Sequence, residues 1–288
     1  DDSGVQSPEN TAVTVDVFAN DEAGADGVDL ETGVAVVPLS LSGGTGSLVY
    51  NGDGTFTYTP AAGEDANVTF DYTITDGDGD VSTATVTLDL VPDSEPDVGT
   101  PSDLAVDEDG FALTANVDGG QLDPLEINNG ENLSDLSGSV TVDFGADVPA
   151  APLLSSIAFI NPGALNGQLS AGGEAVTFVV NGSGQLVGST LGLGTVVTLS
   201  LTGAVAGGAA GEVDYSYSVV LSQPLDHTFG DDSEASVTLS GVTFQVTDGD
   251  DGDQASGSFD VVIHDDVPTA DDDSGVQSPE NTAVTVDV

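Results

Sequence analysis

Residues 70–90 read FDYTITDGDGDVSTATVTLDL, and residues 242–263 read VTFQVTDGDDGDQASGSFDVVI. Each has two runs of alternating apolar and polar residues joined by an Asp/Gly turn. A period of two, enriched in Val, Thr, Phe and Tyr, predicts paired strands with one face buried. Each hairpin is followed by an acidic, proline-containing segment: VPDSEPD at 91–97 and HDDVPTADDD at 264–273. Two segments that close in the same way predict two related modules.

The same alternation recurs outward from these hairpins, at 11–18, 47–60, 139–144, 175–180, 195–203 and 213–221. Gly, Asn and Asp separate the runs, and no amphipathic pattern longer than about ten residues predicts a helix. Strands at spacings of roughly 10–15 residues build β-sandwiches. The expected fold is therefore all-β, with two tandem Ig-like or cadherin-like sandwiches over 1–96 and 97–268. The second is enlarged by extra strands or long loops. Residues 272–288 repeat residues 1–17, DDSGVQSPENTAVTVDV, without a change. Residues 269–288 are accordingly expected to be a linker and the first strand of a following copy. Large near-identical units in tandem suit a stalk or spacer better than a single catalytic site.

The charge balance narrows the chemistry. The 288 residues contain 50 Asp and Glu and no Lys or Arg, a formal charge of −50. Without cationic side chains there is no phosphate clamp and no basic groove, so nucleic acid and anionic membrane surfaces are not expected partners. No apolar run is long enough to cross a bilayer as a helix. Hydrophobic residues make up 38% of the chain, and their regular patterning predicts a folded core rather than the disorder common in acidic chains. Compaction then concentrates like charge, and a divalent cation with oxygen ligands is the expected neutraliser.

Cysteine is absent, so neither disulfides nor thiolate metal sites contribute. His227 and His264 are the only nitrogen ligands on offer, and both are expected to be surface residues, which leaves zinc and iron without an expected site. Asp76, Asp78 and Asp80 place three carboxylates at alternate positions with glycines between them, and Asp248, Asp250 and Asp253 repeat the device. Asp-Gly is also ordinary turn chemistry. Three carboxylates per turn in a chain without cations favour a bound Ca²⁺. Neither turn is an EF-hand, since the sixth position of the first is Val81 and the twelfth is Thr87.

The run Gly52-Asp53-Gly54-Thr55-Phe56-Thr57-Tyr58-Thr59-Pro60, with Phe70 to Gly79, resembles the VCBS/cadherin-like repeats of large bacterial surface proteins. The second part is similar to the long repeat of type I-secreted RTX adhesins. That likeness is carried by Phe144-Gly145-Ala146-Asp147 and by the ending Val262 to Ala270. The RTX nonapeptide is missing, and the nearest run is Gly43-Gly44-Thr45-Gly46-Ser47. The resemblance implies a calcium-stabilised extender on an outer cell surface, holding a distal adhesive region that supports adhesion and biofilm formation. The acidic clusters, at six or more ligands for each ion, predict several bound Ca²⁺, about six to ten, at affinities of roughly 10⁻⁴–10⁻³ M.

The resemblance also implies a ligand set. Asp21, Asp26 and Asp29 would form an acidic loop after the first strand. Pro8-Glu9-Asn10 resembles the short element by which cadherin-type domains give a carboxylate, here Glu9, to interdomain calcium. Asp93, Asp97 and Glu108, with Asp107 and Asp109 beside the last, would serve the internal junction. Asp265, Asp266, Asp271 and Glu280 would serve the junction to the next copy. Neighbouring copies of the repeat are the implied partners, and the single unit is expected to be monomeric.

A calcium-dependent lectin or a homophilic contact module is the other class compatible with this composition. Lectin sites use exposed aromatic platforms, whereas the 5 Tyr and 10 Phe fall mostly inside alternating strands and Trp is absent. Enzymatic activity is not expected. With 50 acids, paired carboxylates of glycosidase type occur by chance, and no Gly-x-Ser-x-Gly turn accompanies either histidine.

Overall fold

In a computed structural model of the 288-residue chain, residues 1–108, 136–227, 236–250 and 252–265 are described. The first sandwich is built from β1 (Asp2–Val5), β2 (Val13–Asp16), β3 (Val34–Val36), β4 (Ser47–Tyr50), β5 (Thr55–Thr59), β6 (Val68–Thr75) and β7 (Val81–Asp89). One sheet has the order β1-β7-β6-β3 and the other β2-β5-β4. The alternation quoted above sets the register. Val68, Phe70 and Tyr72 of β6 point inward opposite Phe56 and Tyr58 of β5, each at most 1% exposed. The Phe56 ring lies 5.2 Å from Phe70 and 6.1 Å from Tyr72, which ties the two sheets together through aromatic edges.

The hairpin between β4 and β5 turns on Gly54, whose φ of +93° is strained for any side chain. Asp53 Oδ1 accepts the Thr55 N–H at 3.0 Å and closes the turn.

The second sandwich begins with β8 (Asp97–Val98) and β9 (Leu104–Asp107). It continues with β10 (Ser137–Asp143), β11 (Ile157–Phe159), β12 (Ser170–Ala171), β13 (Glu174–Ala175) and β14 (Thr177–Val180). It ends with β15 (Leu186–Thr190), β16 (Gly194–Ala206), β17 (Glu212–Leu221), β18 (Ser236–Thr247) and β19 (Gln254–His264). A six-stranded sheet, β14-β15-β16-β17-β10-β8, faces a four-stranded sheet, β11-β18-β19-β9. The enlargement comes from β11 to β15 and from the length of β16 to β19. Two 3-10 turns lie at 153–156 and 162–165. Tyr217 of β17 stacks on Phe259 of β19 at 4.2 Å between centroids, and its hydroxyl donates to the Ser102 carbonyl at 2.6 Å.

The two sandwiches share one device. In each, a short opening strand lies parallel to the last strand: β1 against β7 from Asp2↔Val86 to Val5↔Asp89, and β9 against β19 from Leu104↔Val261 to Asp107↔His264. The chain therefore leaves each module at the end opposite to the one where it entered, beside the finish of that short strand. In this way the segments just after β1 and just after β7 meet at one end of the first sandwich, and those after β9 and β19 meet at one end of the second.

Each module has its own core, one running from Val13 to Leu90 and the other from Leu104 to Ile263. Phe56→Ala removes a ring packed against Tyr50, Phe70 and Tyr72. It should destabilise the first sandwich by about 3–5 kcal/mol and leave the second untouched. Calorimetry should show one transition moving down and one staying in place; equal displacement of both would mean that the modules do not melt separately.

Candidate metal centres

The first centre lies where the two sandwiches meet. Glu9 follows β1, Asp93 follows β7, and Asp147 sits in the turn after β10; an oxygen of each lies within 4.8 Å of the others. Local chemistry holds the parts in place. The Gln6 amide spans the loop, donating to Thr11 O at 3.2 Å and accepting the Val91 N–H at 2.8 Å. Glu9 accepts the Ser94 N–H at 2.8 Å and the Ser94 hydroxyl at 2.6 Å. Asn10 donates its side-chain amide to Asp147 Oδ1 across the junction. On the far side, Gly249 N–H donates to the Asp147 carbonyl at 2.8 Å. A Cβ at Gly249 would lie 2.7 Å from Val148 O, so only glycine lets the 248–253 turn pack this closely.

Asp147 is the telling residue. It is 3% exposed, and its Oδ2 has no hydrogen-bond donor among the described residues. Burial pushes its carboxyl up to about 7, helped by the charges of Asp250, Glu9 and Asp93. A carboxylate buried among carboxylates is unfavourable without a positive partner. The donor set is all oxygen, and its unsatisfied buried oxygen faces other acids, which is the chemistry of a hard divalent cation.

Buried acids are not all placed this way. Glu64 is also partly buried, which opposes ionisation, yet its carboxyl is held down at about 2 by the donors around it. These are the N–H and hydroxyl of Thr45, the N–H groups of Gly46 and Ala61, and the Tyr58 phenol. The Tyr72 hydroxyl lies 2.7 Å from Asp2 Oδ2 and 2.8 Å from Asp21 Oδ2. Burial and these two carboxylates push its pKa upward.

The second centre is the Asp26, Asp76 and Asp78 group at the β6–β7 turn. Asp76 Oδ1 caps the turn, accepting the N–H groups of Gly79 at 3.0 Å and Asp80 at 2.8 Å. Asp76 and Asp78 share a side-chain hydrogen bond that lowers the first carboxyl and raises the second. The third centre joins Glu108, His227 and Asp265 beyond the ends of β9 and β19.

The structure redistributes the residues expected to act together. Asp93 and Glu9 meet at the internal junction, but Asp97 and Glu108 do not join them. Asp97 is an exposed residue of β8 paired across from Asp143, and Glu108 lies with His227 at the third centre. The cause is β9, which carries the chain from Leu104 to Asp107 along β19 before Glu108 emerges. Asp21 turns inward to Tyr72. Asp29 caps its own loop, accepting the Glu31 N–H at 3.1 Å and the Thr32 hydroxyl at 2.8 Å. Asp80 is exposed on the hairpin. Asp248 accepts the Gly252 N–H at 2.9 Å, and its own N–H donates to the Asp253 carbonyl at 3.0 Å. Asp250 of the same turn approaches Asp147. Asp107 belongs to the backbone ladder of β9. Asp109, Asp266, Asp271, Glu280 and the repeated strand at 272–288 lie outside the described residues.

Two residues escaped the sequence reading. Asp147 stood in a quoted motif without a role, and its contact with Glu9 spans more than a hundred residues of chain. His227, expected at the surface, has a side chain only 4% exposed. Its neighbour Leu225 is held at the same place, its buried N–H donating to Glu108 Oε1 at 2.7 Å.

Residues 1–89 match the Big_9 family model, Bacterial Ig domain. No curated protein matches the chain. Among solved structures, the chain is similar to the protocadherin gammaB7 EC3-6 cis-dimer at 12% identity and TM-score 0.25, over 92% of this chain and 46% of that one. It is similar to the zebrafish RET cadherin-like domains 1 to 4 at 14% identity and TM-score 0.26, over 80% and 40%. It is similar to the human desmocollin-1 ectodomain at 13% identity and TM-score 0.26, over 100% and 65%. The chain spans half or less of the first structures it matches, and these TM-scores are too low to support a functional assignment.

Asp147 makes a prediction with a definite sign. Without metal, the folded protein keeps a proton on Asp147 between pH of about 4 and about 7 that the unfolded chain has lost. Stability therefore falls as pH rises through that window. Glu64 acts below it, losing its contribution as pH drops from about 4.5 toward 2. In EDTA the melting temperature should be higher at pH 5 than at pH 8, and Asp147→Asn should flatten that slope. Millimolar Ca²⁺ should restore the parent at pH 8 and do so less for the variant. Circular dichroism melts at both pH values check this; a slope that Asp147→Asn leaves intact would place its origin elsewhere.

Proposed function

We propose that the chain is a calcium-stabilised extender module of a large bacterial cell-surface adhesin, outside the cell, whose work is to hold a distal binding region at a distance. The reading rests on the junction of Glu9, Asp93 and Asp147. Two sandwiches linked only by a short proline-containing segment would pivot about it. A cation shared by a loop of the first, the linker and a turn of the second removes that freedom.

The match of residues 1–89 to the bacterial Ig domain supports the structural character of the module. The residue placement supports it as well. The aromatic side chains Phe56, Phe70, Tyr72, Tyr215, Tyr217 and Phe244 are at most 1% exposed, so these rings build cores rather than a stacking platform for a sugar. The exact repetition of residues 1–17 at 272–288 supports neighbouring copies in tandem as the partners. Binding of calcium to the folded form alone adds stability by mass action. A module of this kind is loose where calcium is scarce and stiff where it is millimolar.

Solution scattering tests the joint. The parent should show one narrow conformational distribution in millimolar Ca²⁺ and a broad one in EDTA. The double variant Glu9→Ala/Asp147→Ala should stay broad in both, with each sandwich folded by circular dichroism. Identical profiles for parent and variant in Ca²⁺ would remove the rigid-joint reading.

A further inference from the structure

The third centre differs in kind from the other two. Glu108 is 6% exposed and the His227 side chain 4% exposed. His227 Nε2 lies 3.2 Å from Glu108 Oε1 and 3.9 Å from Asp265 Oδ1. The other ring nitrogen, Nδ1, is buried with no hydrogen-bond partner among the described residues. Nε2 is thus the ring nitrogen turned to both carboxylates, the atom through which this buried imidazole would ligate a cation held between them.

The donor set also argues against calcium here. Ca²⁺ takes six to eight oxygens, and among the described residues this site offers one nitrogen and two carboxyl groups. One imidazole and two carboxylates suit a borderline cation of the zinc type, which is four-coordinate with nitrogen and oxygen at about 2.0–2.2 Å. At the tetrahedral angle such ligands lie about 3.4 Å apart, which falls between the two distances His227 Nε2 makes. Charge agrees: a neutral imidazole with two carboxylates balances a divalent ion, leaving the fourth position to water. Leu225 N–H, on Glu108 Oε1 at 2.7 Å, fixes one carboxylate in place, the role that outer hydrogen bonds play around metal ligands.

We infer that Glu108, His227 and Asp265 form a zinc-type site at the end of the second sandwich remote from the internal junction, selective against calcium. The inference is independent of the calcium joint, since it uses none of the same residues.

The test is zinc titration of the full chain in saturating Ca²⁺, read by calorimetry and by imidazole NMR. With only two histidines in the chain, each ring gives its own signals. One equivalent of Zn²⁺ should bind in the presence of excess Ca²⁺ and shift the His227 signals. His227→Gln should weaken binding by more than about 100-fold, beyond the loss caused by removing an outer hydrogen-bond partner. His264→Gln should leave binding unchanged. Should His227→Gln fail to fold, the NMR titration of the parent decides alone. Zinc displaced by millimolar Ca²⁺ would overturn the inference. So would binding that survives His227→Gln, or a His227 ring that does not respond to Zn²⁺, which would leave it a buried partner of the two carboxylates.

Discussion

Negative charge without any cationic side chain is the constraint on which this protein depends. Each carboxylate that folding draws out of water needs a donor, a proton or an imported cation. The structure uses several of these solutions side by side. Glu64 is surrounded by backbone N–H groups and hydroxyls and stays ionised. Asp2 and Asp21 share the Tyr72 phenol. Asp147 has one amide and otherwise faces acids, so it is left to a proton or a metal. The acids that remain on the surface simply face water.

The same constraint explains where the candidate centres lie. Among the described residues the two cores are built from apolar side chains, and the buried acids Glu108, Asp147 and Asp248 lie at the ends, where loops converge. The parallel pairing of the opening strand with the closing strand brings two linker segments to one end of each module. At the first module this places Glu9 beside Asp93. At the second it places Glu108 beside Asp265, with His227 added from the segment after β17.

Much of this was legible in the chain. The alternating runs at 213–221 and 242–263 predict β17 and the β18–β19 hairpin, and their inward residues are the buried ones. The Asp-Gly turns at 76–80 and 248–253 were visible as carboxylate clusters. Short opening strands were harder to read. Asp2–Val5 reads DSGV, with one apolar side chain, and is a strand because β7 offers it an edge. Pairings across the fold were harder still. The sequence neighbours of Glu108 are linker residues, which suggest the internal junction, whereas β9 carries it to the opposite end of the second sandwich. Asp147 and His227 owe their roles to contacts with residues more than a hundred positions away, which no local pattern encodes.

The most direct measurement is the anomalous diffraction signal from crystals grown with Ca²⁺ replaced by a lanthanide, which prefers the same oxygen ligands. A cation-stabilised joint predicts a strong peak within bonding distance of carboxylate oxygens of Glu9, Asp93 and Asp147. Peaks confined to exposed turns, with none at this junction, would contradict it.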